Sequence, residues 1–230
     1  MRRSWFFALV LFFWIGGGTG AVPIRAQESP KSHCTKWSDA GGSGAVPYNF
    51  RSIDGKLFAG GNLFNPVSHA NPPEKVREYL RFLKQQGAGA IIALHVPSSG
   101  TDELHILEEL AADEGLAFHK RRVTAYTVPT ASESEWLMQA IPKGAYIHCM
   151  WGADRTGAVI ARYLRHHRGY SGEEAWKAVI VGGSHAGPLG GLKQKPEYKN
   201  LVLFFWPEVS EESPTVCRIY NLPYTGPRGN

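Results

Sequence analysis

Short apolar runs alternate with amphipathic stretches along most of the chain. Ala90 to Leu94 and Ala145 to His148 are almost wholly apolar, which is typical of strands buried on both faces of a sheet. Elsewhere apolar residues recur three or four positions apart. One such face consists of Val76, Tyr79, Leu80 and Leu83. Strands that alternate with helices predict an α/β fold with a mainly parallel central sheet flanked by helices.

Capping signals mark the ends of the predicted helices. Asn71 is the expected N-cap of the first helix, which Gly87 ends. Capping boxes beginning at Ser132 and Ser171 predict two more helix starts. The remaining predicted elements are strands at 56–59 and 117–126, helices at 101–114 and 156–168, and a glycine-rich loop at 182–191. Residues 201–206 are expected to pack on the core.

The two ends of the chain depart from this pattern. Arg2 and Arg3 precede an apolar run from Trp5 to Ile15, followed by glycines and small residues, as in a secretory signal peptide. The alternative is a membrane anchor, but the run is shorter than the roughly 20 residues that span a bilayer. We therefore expect removal of residues 1–26 and export to the periplasm or medium, with no membrane span in the mature chain. Residues 27–47 are predicted to be a loose leader, 48–206 one folded domain, and 207–230 a C-terminal tail.

Composition is that of a globular protein with a modest excess of positive charge. Hydrophobic residues make up 43% and charged residues 20%, and the formal net charge is +5. This charge favours anionic ligands, but no basic run is long enough to indicate nucleic acid binding. The longest basic cluster, residues 119–122, is either a solvated strand edge or a means of attracting polyanions. The histidines lack the spacing of metal ligands, so no metal or other cofactor is expected.

The chain has three cysteines, Cys34, Cys149 and Cys217. Export would place them in an oxidising compartment, and an odd count leaves one thiol unpaired. We predict that Cys34 pairs with Cys217 and that Cys149 stays free. The alternative is that all three are reduced.

The segment from His148 to Gly157 carries the chemistry. A buried strand delivers Cys149 to a loop, and a helix begins where the loop ends. This arrangement aims backbone N–H groups and the positive end of a helix at one point, where a phosphate fits. The residues expected to supply those N–H groups are Met150, Trp151, Gly152 and Ala153.

Each side chain of this segment has a predicted role. The positive field favours the thiolate of Cys149, the expected nucleophile, and the planar fork of Arg155 can hold two phosphate oxygens. Gly152 permits a tight turn. Thr156 can hydrogen-bond the sulfur and help it leave, and His148 can donate to a backbone carbonyl and so fix the loop.

The motif resembles the signature of the protein tyrosine and dual-specificity phosphatase superfamily: His-Cys, five residues, then Arg-Thr-Gly. The order of elements from about Tyr48 to Val181 resembles the small bacterial dual-specificity-like phosphatases. The resemblance implies that 48–206 is a phosphatase domain, which hydrolyses phosphomonoesters through a cysteinyl-phosphate intermediate. The implied substrate is phosphotyrosine or another phosphoprotein residue. The open alternatives are an inositol phosphate phosphatase and a phosphate-binding module without turnover.

The general acid is where the chain departs from the family pattern. The family usually places an Asp on a mobile loop ahead of the Cys, to protonate the leaving oxygen. Asp113 has about that spacing but lies at a predicted helix end, and the expected loop, residues 127–131, has no carboxylate. A capping box accounts for Glu133 and Glu135. We therefore predict that Asp154 is the acid; the alternative is that it stabilises the start of the helix.

Overall fold

The computed structural model describes residues 31–95 and 102–227, in which six strands form one sheet. The strands are β1 (Cys34–Lys36), β2 (Arg51–Ile53), β3 (Leu57–Gly60), β4 (Ala90–Ala93), β5 (Ala117–Lys120) and β6 (Ala145–His148). The helices are α1 (Pro73–Gln86), α2 (Asp102–Asp113), α3 (Ala131–Ala140), α4 (Asp154–Arg168), α5 (Gly172–Val179), α6 (Lys199–Phe205), α7 (Val209–Glu212) and α8 (Pro214–Tyr220). Short 3₁₀ turns occupy Ile141–Lys143 and Pro196–Tyr198.

The sheet confirms the predicted fold class. Its strand order is β1-β2-β3-β6-β4-β5; β3, β6, β4 and β5 are parallel, and β1 and β2 are antiparallel additions at one edge. Consecutive residues of a strand face opposite sides, so Ile91 and Tyr146 enter the core beneath α1 and α2, whereas Ile92 and Ile147 enter the other core. Strand β6 is therefore central and covered on both faces.

The predicted strand at 117–126 ends early, at Lys120. Among the described strands β5 lies at an edge and pairs only with β4, and its side chains are half-buried or exposed. Beyond it the chain turns at Thr124, whose hydroxyl accepts from the N–H groups of Tyr126 and Thr127. The segment from Arg121 to Thr130 therefore forms a loop rather than a continued strand.

Two predicted N-caps are wrong and one is confirmed, and Gly87 ends α1 as predicted. Pro72 occupies the N-cap of α1, and the carboxamide of Asn71 instead donates to two backbone carbonyls outside the helix. The capping box of α3 begins at Thr130, with Glu133 as its partner, rather than at Ser132. Ser171 caps α5 as predicted.

Both ends of the described chain are packed, which corrects the expectation of a loose leader and tail. Strand β1 pairs with β2 and extends the sheet. Helices α7 and α8 bury Val209, Val216 and Tyr220 in the core shared with α4. The predicted signal peptide, residues 1–26, lies outside the described residues. No helix among the described residues is long and apolar enough to cross a membrane.

The three cysteines are free, so the predicted disulfide between Cys34 and Cys217 is wrong. The Cys217 thiol is buried and directed at the carbonyl of Val209, 3.4 Å away. Cys34 lies on the edge strand β1. Burial raises the pKa of both thiols, which keeps them protonated.

Candidate active site

The centre of the sheet places Cys149 directly after β6. The four residues of β6 are buried, and Cys149 is only 2% exposed. Helix α4 begins at Asp154, and no side chain of the described residues caps its N-terminus, unlike those of α3 and α5. The first-turn N–H groups of α4 are therefore available to an anion beside Cys149. We call residues 149–155 the phosphate loop.

The phosphate loop packs tightly against the end of β3. Gly152 has a φ of 64°, and a Cβ at this position would lie 2.3 Å from the carbonyl carbon of Gly60. The backbone N–H of Asn62 donates to the carbonyl of Met150 at 2.9 Å. The turn at Gly152 thus requires glycine, both for its φ and for lack of space.

His148 and Thr156 support the loop from the two sides of Cys149. The N–H of Cys149 donates to the hydroxyl of Thr156 at 3.1 Å, and His148 Nδ1 lies 3.4 Å from the carbonyl oxygen of Cys149. Burial lowers the pKa of His148 to about 4, although its hydrogen bond to Cys149 acts in the opposite direction. A neutral imidazole with its proton on Nδ1 therefore donates to the loop.

Arg155 is held by a histidine that the sequence analysis did not single out. Its Nη1 lies 2.7 Å from Nδ1 of His95, which follows β4 at the same sheet edge as Cys149. Burial, and then the charge of Arg155, lowers the pKa of His95, so a neutral ring accepts the hydrogen bond. The sequence signal that could have identified His95 is its position. It lies two residues after β4, the strand that pairs in parallel with β6, and so it falls at the same sheet edge as Cys149.

A cavity of about 450 Å³ adjoins the phosphate loop. Trp151, Asp154 and Arg155 line it from the loop, the segment after β5 lines a second side, and Lys193 and Tyr198 line a third. Tyr126 and Trp151 are well exposed there. This space exceeds what one phosphate needs and offers aromatic walls to the group that carries it.

Asp154 is engaged by Lys193 in the structure. The backbone N–H of Lys193 donates to Oδ1 at 2.9 Å, and its Nζ lies 3.1 Å from Oδ2. Burial lowers the pKa of Lys193, but the hydrogen bond and charge of Asp154 outweigh this and raise it. A proton-donor role for Asp154, which remains a prediction, requires Lys193 to release the carboxylate during the reaction.

The other acidic residues considered from the sequence are occupied elsewhere. Asp113 pairs with Arg77 at the far end of α2, and Glu135 accepts from Gln139. Hydrogen bonds from Thr130 lower the pKa of Glu133, as a capping role requires. A carboxylate that the sequence analysis missed, Glu103, lines a small cleft together with Cys149 and His148.

The four residues of the basic cluster at 119–122 have different surroundings. Arg121 stacks on the ring of Trp136 at 3.9 Å, and Lys120 pairs with Glu108 at 2.6 Å. His119 packs edge-on against Trp136. Arg122 lines the cavity beside the phosphate loop. One of the four residues therefore faces the site, and the others stabilise the sheet edge.

Residues 68–168 match the family model described as "Tc-R-P: Polymorphic toxin system, DSP-PTPase phosphatase". The match covers just under half of the chain and includes Cys149 and Arg155. The matched segment is a cysteine-dependent, dual-specificity phosphatase-like domain. A comparison with curated proteins finds no match.

Solved structures similar to this phosphatase have low sequence identity. TpbA of P. aeruginosa is 13% identical, with a TM-score of 0.48, over 75% of this chain and 89% of TpbA. PTPMT1 is 18% identical, with a TM-score of 0.46, over 66% of this chain and 90% of its own. Tk-PTP is 21% identical, with a TM-score of 0.39, over 54% of this chain and 82% of its own.

Proposed function

We propose that the protein hydrolyses phosphomonoesters through a cysteinyl-phosphate intermediate and that phosphotyrosine in proteins is its substrate. The observation that carries this proposal is the phosphate loop, which begins at the buried Cys149 and ends at Arg155, where it lines a cavity with aromatic walls. The loop N–H groups and the Arg155 fork bind the phosphate dianion. Tyr126, Trp151 and Tyr198 offer surfaces on which an aryl ring can pack.

The reaction takes two displacements at phosphorus. In the first, the Cys149 thiolate forms an S–P bond while the bond to the leaving oxygen breaks, and a general acid gives that oxygen a proton. In the second, a water oxygen displaces the sulfur, releasing inorganic phosphate, and its proton passes to a base. The N–H groups and Arg155 stabilise the charge on the equatorial oxygens in both steps.

A second candidate substrate is an inositol phosphate. Arg122 and Lys193 line the same cavity as Arg155, although Lys193 is paired with Asp154, and place two more basic side chains beside the phosphate loop. A substrate with several phosphates would use these charges, whereas a phosphotyrosine side chain has no second phosphate to place there.

Initial rates of phosphate release test the proposal. Equal concentrations of a phosphotyrosine peptide, the matching phosphoserine peptide and inositol hexakisphosphate are compared, with Cys149→Ser as the blank. We expect the phosphotyrosine peptide to be fastest and Tyr126→Ala to slow it selectively. Faster release from the inositol phosphate, reduced by Lys193→Met, would favour the second candidate. Phosphate binding without release from any substrate would instead support a module without turnover.

We also propose that the chain is exported, on the strength of the N-terminal pattern of Arg2, Arg3 and the following apolar run. Expression of the full chain in a Gram-negative host, with N-terminal sequencing of the periplasmic fraction, tests this proposal. We expect cleavage close to residue 26; an uncut chain in the cytoplasm would contradict it.

A further inference from the structure

Asn49 lies between the phosphate loop and the glycine-rich loop at residues 182–191. Its side chain is fully buried. The Nδ2 atom lies 3.1 Å from the carbonyl oxygen of Trp151, 3.2 Å from that of Gly152 and 3.2 Å from that of Gly190. Its Oδ1 accepts from the N–H of Leu189 at 2.8 Å. One carboxamide therefore joins the two loops.

Arg51, two residues after Asn49 in the sequence, holds the backbone of Asn49 in place through a hydrogen bond. Its side chain is also fully buried; Nη1 donates to the carbonyl of Asn49 at 3.0 Å, and Nε donates to that of His185 at 3.1 Å. Burial lowers the pKa of Arg51 to about 10, which still leaves the guanidinium charged at neutral pH. A buried cation is costly, so its placement against these two carbonyls indicates a specific task.

The conformation of Asn49 leaves its side chain little freedom. Its φ is 57°, in the left-handed region that asparagine tolerates better than most residues. On the other side, a Cβ added to Gly187 would lie 2.0 Å from Asn49 Oδ1. The carboxamide is thus confined between the glycine-rich loop and the phosphate loop.

The contacts of Asn49 determine which way the loop N–H groups point. In a trans peptide unit the carbonyl and the following N–H lie on opposite sides. Because the carbonyls of Trp151 and Gly152 point to Asn49, the N–H groups of Gly152 and Ala153 point away from it. A rotated peptide would present a carbonyl oxygen to the anion instead and would repel it.

We propose that Asn49 and Arg51 are positioning residues that hold the phosphate loop in its oxyanion-binding conformation and join it to the glycine-rich loop. This inference rests on the proposed function, since it concerns the same site. Without Asn49 only a fraction of the molecules hold the loop in the phosphate-binding conformation. The apparent affinity for phosphate is then the intrinsic affinity multiplied by that fraction. A bound phosphate restores the loop, so turnover at saturation is largely retained.

The test compares Asn49→Gly with Asn65→Gly. Asn65 is a matched control because it is also buried and left-handed, with a φ of 74°, but its carboxamide bonds to Gly41, Ser43, Val67 and Ser68. Three quantities are measured: KM and kcat for an aryl phosphate, and the Kd of inorganic phosphate by calorimetry. In Asn49→Gly we expect KM and Kd to rise together by about tenfold or more, with kcat changed by less than about threefold. In Asn65→Gly both should stay close to wild type even if the melting temperature falls.

Unchanged KM and Kd in Asn49→Gly, or equal increases in the two variants, would overturn the inference. If Asn49→Gly does not fold, KM, kcat and the phosphate Kd are measured for Gly187→Ala instead, with the same increases in KM and Kd expected. The added Cβ displaces the Asn49 carboxamide without altering residue 49. The phosphate Kd separates this inference from the proposed function. A wild-type protein without turnover refutes the function, whereas the Kd comparison still tests the role of Asn49.

Discussion

The side chains of Arg155 and Asp154, both in the first turn of α4, line the same cavity but contact different partners. Arg155 contacts a neutral ring, His95, so its positive charge is not cancelled and remains available to a phosphate. Asp154 contacts the ammonium and the backbone N–H of Lys193. Arg155 can therefore bind a phosphate without first breaking an ion pair. Asp154, the predicted proton donor, must first lose its contacts with Lys193.

Leaving-group dependence tests the role of Asp154. With phenyl phosphate, whose leaving oxygen needs a proton, Asp154→Asn should lower kcat by about a hundredfold or more. With p-nitrophenyl phosphate little proton transfer is needed, and the loss should shrink to a fewfold. Asp113→Asn is the control and should leave both rates nearly unchanged, because Asp113 pairs with Arg77 at the far end of α2.

Two outcomes would count against Asp154 as the acid. Equal losses with both substrates would mean that Asp154 acts by holding Lys193 against the phosphate loop. A leaving-group dependence in Glu103→Gln instead would assign the proton to the carboxylate in the small cleft beside Cys149.

At the scale of single elements, the phosphate loop depends on the close approach of β3. Gly152 combines a positive φ with backbone contact to Gly60, so an alanine there would meet both strain and a clash. Gly182→Ala is a matched control, since Gly182 also has a positive φ, 82°, but nothing in the described part of the chain lies within 4 Å of where its Cβ would stand.

We expect Gly152→Ala to lower kcat/KM by about a hundredfold, because a displacement of about 1 Å suffices to misplace the loop. Gly182→Ala should retain activity within a fewfold and lose only some stability. Steady-state kinetics and melting temperatures of the two variants check this. Equal activities would show that the contact with β3 does not shape the loop.

Some elements were predictable from the sequence and others were not. Strand β6 and the start of α4 were found because a buried strand and a motif of fixed spacing are local signals. The end of β5 was not, because pairing on one side only is a property of the sheet. Asn71 has the chemistry of a helix cap, but the carbonyls of Gly42 and Leu63 are its partners, and sequence does not reveal such distant contacts.

At the scale of the whole molecule, segments distant in sequence complete the domain. The helices α7 and α8 are too short to show a clear apolar period, and so their burial in the core shared with α4 could not be foreseen. His95 and Asn49 reach the phosphate loop from separate segments, and Arg51 supports Asn49. The motif thus predicted the loop itself, whereas its supports depend on tertiary packing.

Buried histidines make the stability of the whole domain depend on pH. Burial lowers the pKa of both His148 and His185 to about 4, from 6.5 in an exposed chain. Between these values the unfolded state binds more protons than the folded state, so stability is fully present above about pH 6.5 and is lost as pH falls toward 4. We expect the melting temperature to fall across this window.

The variant His185→Gln should flatten this pH dependence, because it removes one of the histidines whose pKa burial lowers to about 4. His105→Gln, at an exposed position on α2, is the control and should leave the slope unchanged. Melting temperatures measured between neutral and mildly acidic pH check both variants. If the melting temperature of His185→Gln changes with pH as steeply as that of the wild type, His185 has the same pKa in the folded and unfolded states, which would contradict this prediction.

The most direct test of the account is to identify the atom that carries the phosphoryl group during turnover. Acid quenching of the enzyme during hydrolysis of a good aryl phosphate, followed by peptide mass spectrometry, reports this atom. We predict one phosphoryl group on the peptide that contains Cys149, and none in Cys149→Ser, which should bind inorganic phosphate yet release less than about a thousandth as much product. A phosphoryl group on another residue, or turnover by Cys149→Ser near the wild-type rate, would contradict the assignment of Cys149 as the nucleophile.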